Sequence, residues 1–96
     1  MKVEYHPSVR RDVREALDHY STESERLADD FWNELLAGIN EAAANPELHH
    51  FDLCALRRFN LNRFPYHFLY RTGNDRIRVL VLRHDKRHPS FGVKRK

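Results

Sequence analysis

Cysteine is nearly absent. Cys54 stands alone among 96 residues, so the chain cannot close an internal disulfide and offers no thiolate cluster to a metal. That scarcity suits a reducing compartment, and Cys54 reads as a small strand residue rather than a nucleophile. Proline and glycine are scarce as well, at four and three residues, which excludes a collagen-like or low-complexity chain. Gly38, Gly73 and Gly92 are isolated from one another, so no phosphate-cradling glycine loop exists. Nowhere does an apolar run approach the roughly 20 residues of a membrane helix, and Met1-Lys2-Val3-Glu4-Tyr5 lacks the apolar centre of a secretory signal. A cytoplasmic protein with no membrane partner is expected.

What is present suffices for one core. Apolar residues make up 41% of the chain and charged residues 32%, the balance of a folding domain rather than a disordered one, and the length admits a single domain over residues 1–96. The net charge of +3 hides a strong asymmetry. Residues 1–50 contain five Lys or Arg against eleven Asp or Glu, a balance of −6. Residues 51–96 contain twelve against Asp52, Asp75 and Asp85, a balance of +9. The second half therefore has the field that draws nucleic acid or an acidic protein.

Periodicity divides the chain the same way. Lys2 to Tyr5 alternates as a short strand, and His6-Pro7-Ser8 stops it. Val9, Val13, Ala16, Leu17 and Tyr20 then recur at helical spacing. Ser21 to Ser24 interrupts the pattern, and Thr22 with Glu25 has the form of a capping box for a second helix. Its stripe of Leu27, Phe31, Leu35, Ile39 and Ala42 or Ala43 is widened by Ala28, Trp32 and Leu36, and Asn45-Pro46 ends it. Gly38 inside this helix costs about 1 kcal/mol relative to alanine, which suggests a close packing contact. After Asp52 the period becomes two. Leu53 to Leu61, Tyr66 to Arg71 and Ile77 to Arg83 are predicted strands of an antiparallel meander, the last apolar on both faces and therefore central. The order is α+β: strand, antiparallel αα-hairpin, three-stranded meander, with a charged tail from Asp85 expected to be irregular or frayed.

Basic residues interleave with aromatics in the sheet half, as a single-stranded RNA surface requires, guanidinium groups holding phosphates and rings stacking on bases. Strand alternation gives a structural alternative, with Tyr66, Phe68 and Tyr70 on the helix side and His67, Leu69 and Arg71 on the other. At the end of the last strand, Arg83-His84-Asp85-Lys86-Arg87-His88-Pro89 clusters titratable and cationic groups. Cleavage of RNA by its own 2′-OH needs a proton acceptor and a cation to offset charge on the phosphorane, roles that His84 and Arg87 could fill. A solvated strand edge or a partner contact explains the same cluster. His49-His50 and His84/His88 lack further ligands at metal spacing, so neither a metal nor a cofactor is expected.

His6-Pro7-Ser8 through Tyr20, Leu27-Ala28 with Phe31, and Asn45-Pro46 look like the helical half of the RelE/ParE toxins. Leu56-Arg57-Arg58-Phe59-Asn60-Leu61 and Arg63-Phe64-Pro65-Tyr66-His67-Phe68-Leu69-Tyr70 look like the first meander strands of that family, and Ile77 to Leu82 leading into His84 to Pro89 looks like its closing strand and following motif. The chain resembles the family over nearly its whole length. The resemblance implies a toxin neutralised by a cognate antitoxin, as a homodimer or within a toxin–antitoxin hetero-oligomer. It also implies one of two targets, DNA gyrase for ParE-like members or ribosome-bound mRNA for RelE-like endoribonucleases. Arg57, Arg58, Arg63, Arg83, Lys86 and Phe91 would contact RNA or the protein target, with His84 and Arg87 catalytic only in the nuclease case. Phe91 stands near the tyrosine common in nuclease members, Gly92 near a common tryptophan, and Asn60 and Asn62 where those members often bring Lys or Arg. Phe64-Pro65-Tyr66 resembles the ParE side. The resemblance therefore leans to a non-nuclease gyrase inhibitor; the alternatives are a RelE-like mRNA endoribonuclease or a decayed toxin that only binds antitoxin.

Overall fold

A computed structural model describes residues 1–52 and 54–96. The elements are β1 (Lys2–Tyr5), α1 (Val9–Ser21), α2 (Glu25–Ala44), β2 (Arg57–Asn60), β3 (Tyr66–Thr72) and β4 (Arg76–His84). The sheet order is β1-β4-β3-β2, with the meander antiparallel and β1 parallel to β4. The α+β layout and the central position of the last strand agree with the sequence.

The helical hairpin covers one face of the sheet because its apolar stripes have nowhere else to go. Val9, Ala16 and Tyr20 of α1 and Phe31, Leu35, Ile39 and Ala42 of α2 are buried against Phe68, Tyr70, Ile77, Val79 and Leu82. Tyr20, Phe31, Phe64 and Tyr66 meet at tilted and edge-on angles with ring centroids 5.0 to 6.0 Å apart, the geometry that aromatic quadrupoles favour. At Gly38 α2 packs tightly on the sheet: a β-carbon there would lie 2.8 Å from the Phe59 ring, itself stacked on Phe68. The expected close contact is real.

Two local expectations are corrected. Ser24, not Thr22, caps α2, its Oγ accepting from the Leu27 amide at 3.0 Å, whereas Thr22 closes α1 with its hydroxyl donating to the His19 carbonyl. A cap needs extended backbone to aim its oxygen at the open amides, and Ser24 has it while Thr22 is still helical. The strand expected from Leu53 starts only at Arg57; Leu53 lies outside the described residues, and Cys54 to Leu56 form a turn with Cys54 half-buried.

The tail has no regular element, as expected, but it is packed rather than frayed. It folds back over the other face of the sheet, where Phe91, Val93 and Cys54 pack on a second cluster of Leu56, Leu69, Leu80 and Val81. Gly92, at φ +79°, lets this happen: a β-carbon would lie 2.5 Å from the Val81 side chain. Arg95 fastens the tail to the buried Asp12 of α1 by two hydrogen bonds of 2.6 and 3.2 Å. It also donates to the Leu80 carbonyl, while Asp12 accepts from the Leu82 amide. Together they satisfy the part of β4 that extends beyond β1. No helix among the described residues is long and apolar enough to cross a membrane.

Candidate functional site

The end of β4 gathers the residues that the sequence singles out, but holds them in unequal ways. Arg83 is 4% exposed, and all three of its nitrogens are engaged. Nε donates to His67 Nε2 at 2.8 Å, one terminal nitrogen to the carbonyls of Pro89 and Phe91, and the other to Asp52 at 3.1 Å. Expected as a target contact, it is a buried anchor for the tail and for the loop before β2. Strand alternation turned it to the outer face, and Phe91 and its neighbours then covered it.

A guanidinium can only donate, so His67 Nε2 accepts and Nδ1 holds the ring proton, donating to Asp85 at 2.8 Å. Burial, the largest cause, lowers the His67 pKa; the Asp85 hydrogen bond opposes it, and Arg58 and Arg83 add to it. The ring is neutral and fully occupied. Arg58 completes the network, 3.7 Å from both Asp52 and Asp85, with Nε donating to Asn60. His67, Asp52 and Asp85 were absent from the sequence-based candidates. Their signal was a histidine on the outer face of an otherwise apolar strand, with an aspartate just past the neighbouring one.

His84 is half-buried, edge-on to Tyr66 at 5.0 Å, and its Nδ1 accepts from the Lys86 amide at 3.0 Å. In the neutral ring the proton therefore sits on Nε2, leaving no open lone pair to act as a base. Lys86 and Arg87 are exposed, and the Arg87 guanidinium lies 3.9 Å over the Phe91 ring, which Arg95 also approaches at 5.1 Å. A cleft of about 80 Å³ runs between α1 and this strand end, lined by Glu15, Tyr66, His84, Arg87 and Phe91 among others. Burial, and then the Glu15 charge, raise the Tyr66 pKa, so its hydroxyl stays protonated.

Arg57 and Arg63 stand apart from this group. Arg57 belongs to the opposite face from Arg58: it donates to the His49 carbonyl at 2.8 Å and lies 4.2 Å over Phe51. Arg63, in the turn after β2, pairs with Asp30 of α2 at 2.8 Å, beside Glu34, which accepts from the amides of Asn62 and Arg63. The candidates thus divide into Arg58, Arg83, His84, Lys86, Arg87 and Phe91 at one sheet end and two outliers, Arg57 tied to the loop after α2 and Arg63 tied to α2 itself.

A second feature lies on the helix side. An apolar groove of about 500 Å³ opens where β1 passes into α1, walled by Tyr5, Val9, Val13, Trp32 and Leu36 above Phe68 and Val79. Tyr5 (47%), Trp32 (41%) and Leu36 (37%) keep much of their surface in solvent. The signal in the sequence was the breadth of the α2 stripe, wider than a helix needs for one sheet face.

Residues 3–89 match the family model described as ParE toxin of type II toxin-antitoxin system, parDE. Among solved structures the chain is similar to one described as the chromosomal ParDE TA system from P. aeruginosa. That likeness has 17% identity and a TM-score of 0.75, and covers 88% of this chain and 95% of the other. No curated protein matches. With the ParE model matched across both the helical hairpin and the sheet, the chain belongs to the ParE toxin family of type II toxin–antitoxin systems.

Proposed function

We propose that this toxin acts by binding DNA gyrase in the cytoplasm rather than by cutting RNA, and that a helix of its cognate antitoxin seats in the apolar groove. The observation behind the first part is the His84 ring, whose Nδ1 is taken up by the Lys86 amide, beside a phenylalanine where a nuclease would use a hydroxyl. Proton transfer needs a base with an open lone pair, and His84 offers none. Arg87 and Lys86, exposed at the sheet end, suit electrostatic contact with a protein target. The groove fits an amphipathic helix, since Tyr5, Trp32 and Leu36 supply an apolar wall with Arg10 at its rim.

Purified toxin added to a gyrase supercoiling reaction should abolish supercoiling, and added to translating ribosomes should leave mRNA intact. His84→Ala should keep the inhibition, whereas Arg87→Glu should weaken it. New cuts in ribosome-bound mRNA that vanish in His84→Ala would overturn the binding mechanism in favour of a nuclease. Trp32→Glu should remain toxic but escape neutralisation by the antitoxin of its own locus.

A further inference from the structure

We infer that His67 is the trigger of an acid-operated latch: when its Nε2 takes up a proton, Arg83 is expelled and the tail from Pro89 to Val93 lifts off the outer face of the sheet while the rest of the fold holds. The closed state depends on one tautomer. His67, 1% exposed on β3, accepts from Arg83 Nε at 2.8 Å through the same nitrogen that a proton would occupy. Nδ1 cannot take over that role, because it already donates to Asp85 at 2.8 Å. A protonated ring would set its own N–H against the N–H of Arg83, two donors and two positive charges with no acceptor between them. The ring is fixed inside the sheet, whereas the arginine is a long side chain with several rotatable bonds, so the arginine leaves.

Arg83 is what closes the near end of the tail. It donates to the carbonyls of Pro89 and Phe91 at 2.7 and 3.0 Å and to Asp52 at 3.1 Å. Under this clasp Phe91 and Val93 cover Leu56, Leu69, Leu80 and Val81. At its far end the tail is tied by Arg95 to the buried Asp12, a pair that contains no histidine. A proton on His67 therefore opens one end only. The core on the helix side, built around Phe31, Phe68 and Tyr70, shares none of the residues of the cluster beneath the tail, so its packing survives. The Arg87 guanidinium rests 3.9 Å over the Phe91 ring and moves with it. Acid thus takes apart the cation surface at this sheet end without unfolding the toxin.

The surrounding charges set the direction. Arg83 of β4, Asp85 just beyond it and Arg58 of β2 face the ring, and Asp52, in the loop before β2, faces the two arginines. Two arginines and two aspartates balance around a neutral ring, so an added proton finds no anion of its own. Asp85 favours the charged ring, but burial, the largest effect, opposes it together with Arg58 and Arg83. Once Arg83 has swung out, water enters and one of those repulsions is gone, so the open form binds the proton more tightly than the closed one. Opening therefore grows as pH falls below about 6.5, the ordinary histidine value.

The test follows the full chain by nuclear magnetic resonance and hydrogen exchange from pH 8 to 5. The His67 ring nitrogens and the Phe91 and Val93 amides should titrate with one shared midpoint. After correction for intrinsic exchange, the tail-opening constant should rise by up to about tenfold per pH unit below about pH 6.5, while amides in the middle of α2 keep their protection. His67→Gln offers an oxygen to Arg83 and an N–H to Asp85 but has no titratable nitrogen, so its tail should stay closed throughout. Three outcomes would overturn the inference: a His67 ring that protonates while the tail amides stay unchanged, tail opening that rises equally in His67→Gln, or α2 exchange that rises in step with the tail. The first and third are read on the parent protein, so the inference can fail even where the variant does not fold.

Discussion

His67 shows how much one side chain depends on its neighbours here. Its ring links β3 to Arg83 on β4 and to Asp85 beyond it, and works only as the neutral tautomer. The sign of its pH dependence follows. Burial holds its folded pKa below the ordinary histidine value, so the unfolded chain takes up the proton first as pH falls. Its contribution is complete above about pH 6.5 and declines below that, toward the lowered folded value. Urea midpoints measured from pH 8 to 5 should therefore drop on the acid side, and His67→Gln should remove up to about one proton's worth of that slope. An identical slope in the variant would assign the acid sensitivity to other groups.

Gly38 makes the residue-scale point in reverse. Alanine should gain about 1 kcal/mol of helix propensity, yet its β-carbon meets Phe59 at 2.8 Å, and Phe59 is pinned against Phe68. Overpacking of this kind costs about 1 to 3 kcal/mol, so Gly38→Ala should destabilise on balance. A rise in melting temperature would mean that Phe59 moves aside cheaply.

At the scale of elements, helix stripes and strand alternation were legible because burial imposes them directly. Phe68 and Tyr70 face the helices, as alternation predicts, and the αα-hairpin ends at Asn45. Caps were harder to read, since Ser21, Thr22 and Ser24 offer the same chemistry and only backbone conformation selects among them. Ser24→Ala should cost about 1 kcal/mol, and Thr22→Ala much less. Chemical denaturation of the two variants decides it, and equal losses would refute the assignment of the cap. The start of β2 was misplaced for a related reason: Leu56 is apolar enough for a strand but is buried in a turn, beneath the tail.

For the whole molecule, the decisive fact is that the sheet is covered on both faces, by the hairpin on one and by the tail on the other. Gly92 is the hinge of that second cover. Gly92→Ala places a β-carbon in an unfavourable left-handed conformation and against Val81, a fully buried strand residue. We expect a loss of at least about 2 kcal/mol, with faster hydrogen exchange in the tail and over Leu69 and Val81. Exchange unchanged in those segments would show that the tail contributes nothing to stability.

The sequence by itself determined the α+β order, the central last strand and the lopsided charge, because each follows from periodicity or composition along the chain. It also drew attention to the strand-end cluster from Arg83 to Phe91. Only the tertiary structure decided which of those cations are available. Arg83 is buried and shared among His67, Asp52 and the tail, Arg63 pairs with Asp30 from another element, and Lys86 and Arg87 stay exposed. The physical reason is that charge is additive along a sequence, while pairing and burial depend on which distant residues the fold brings within a few ångströms.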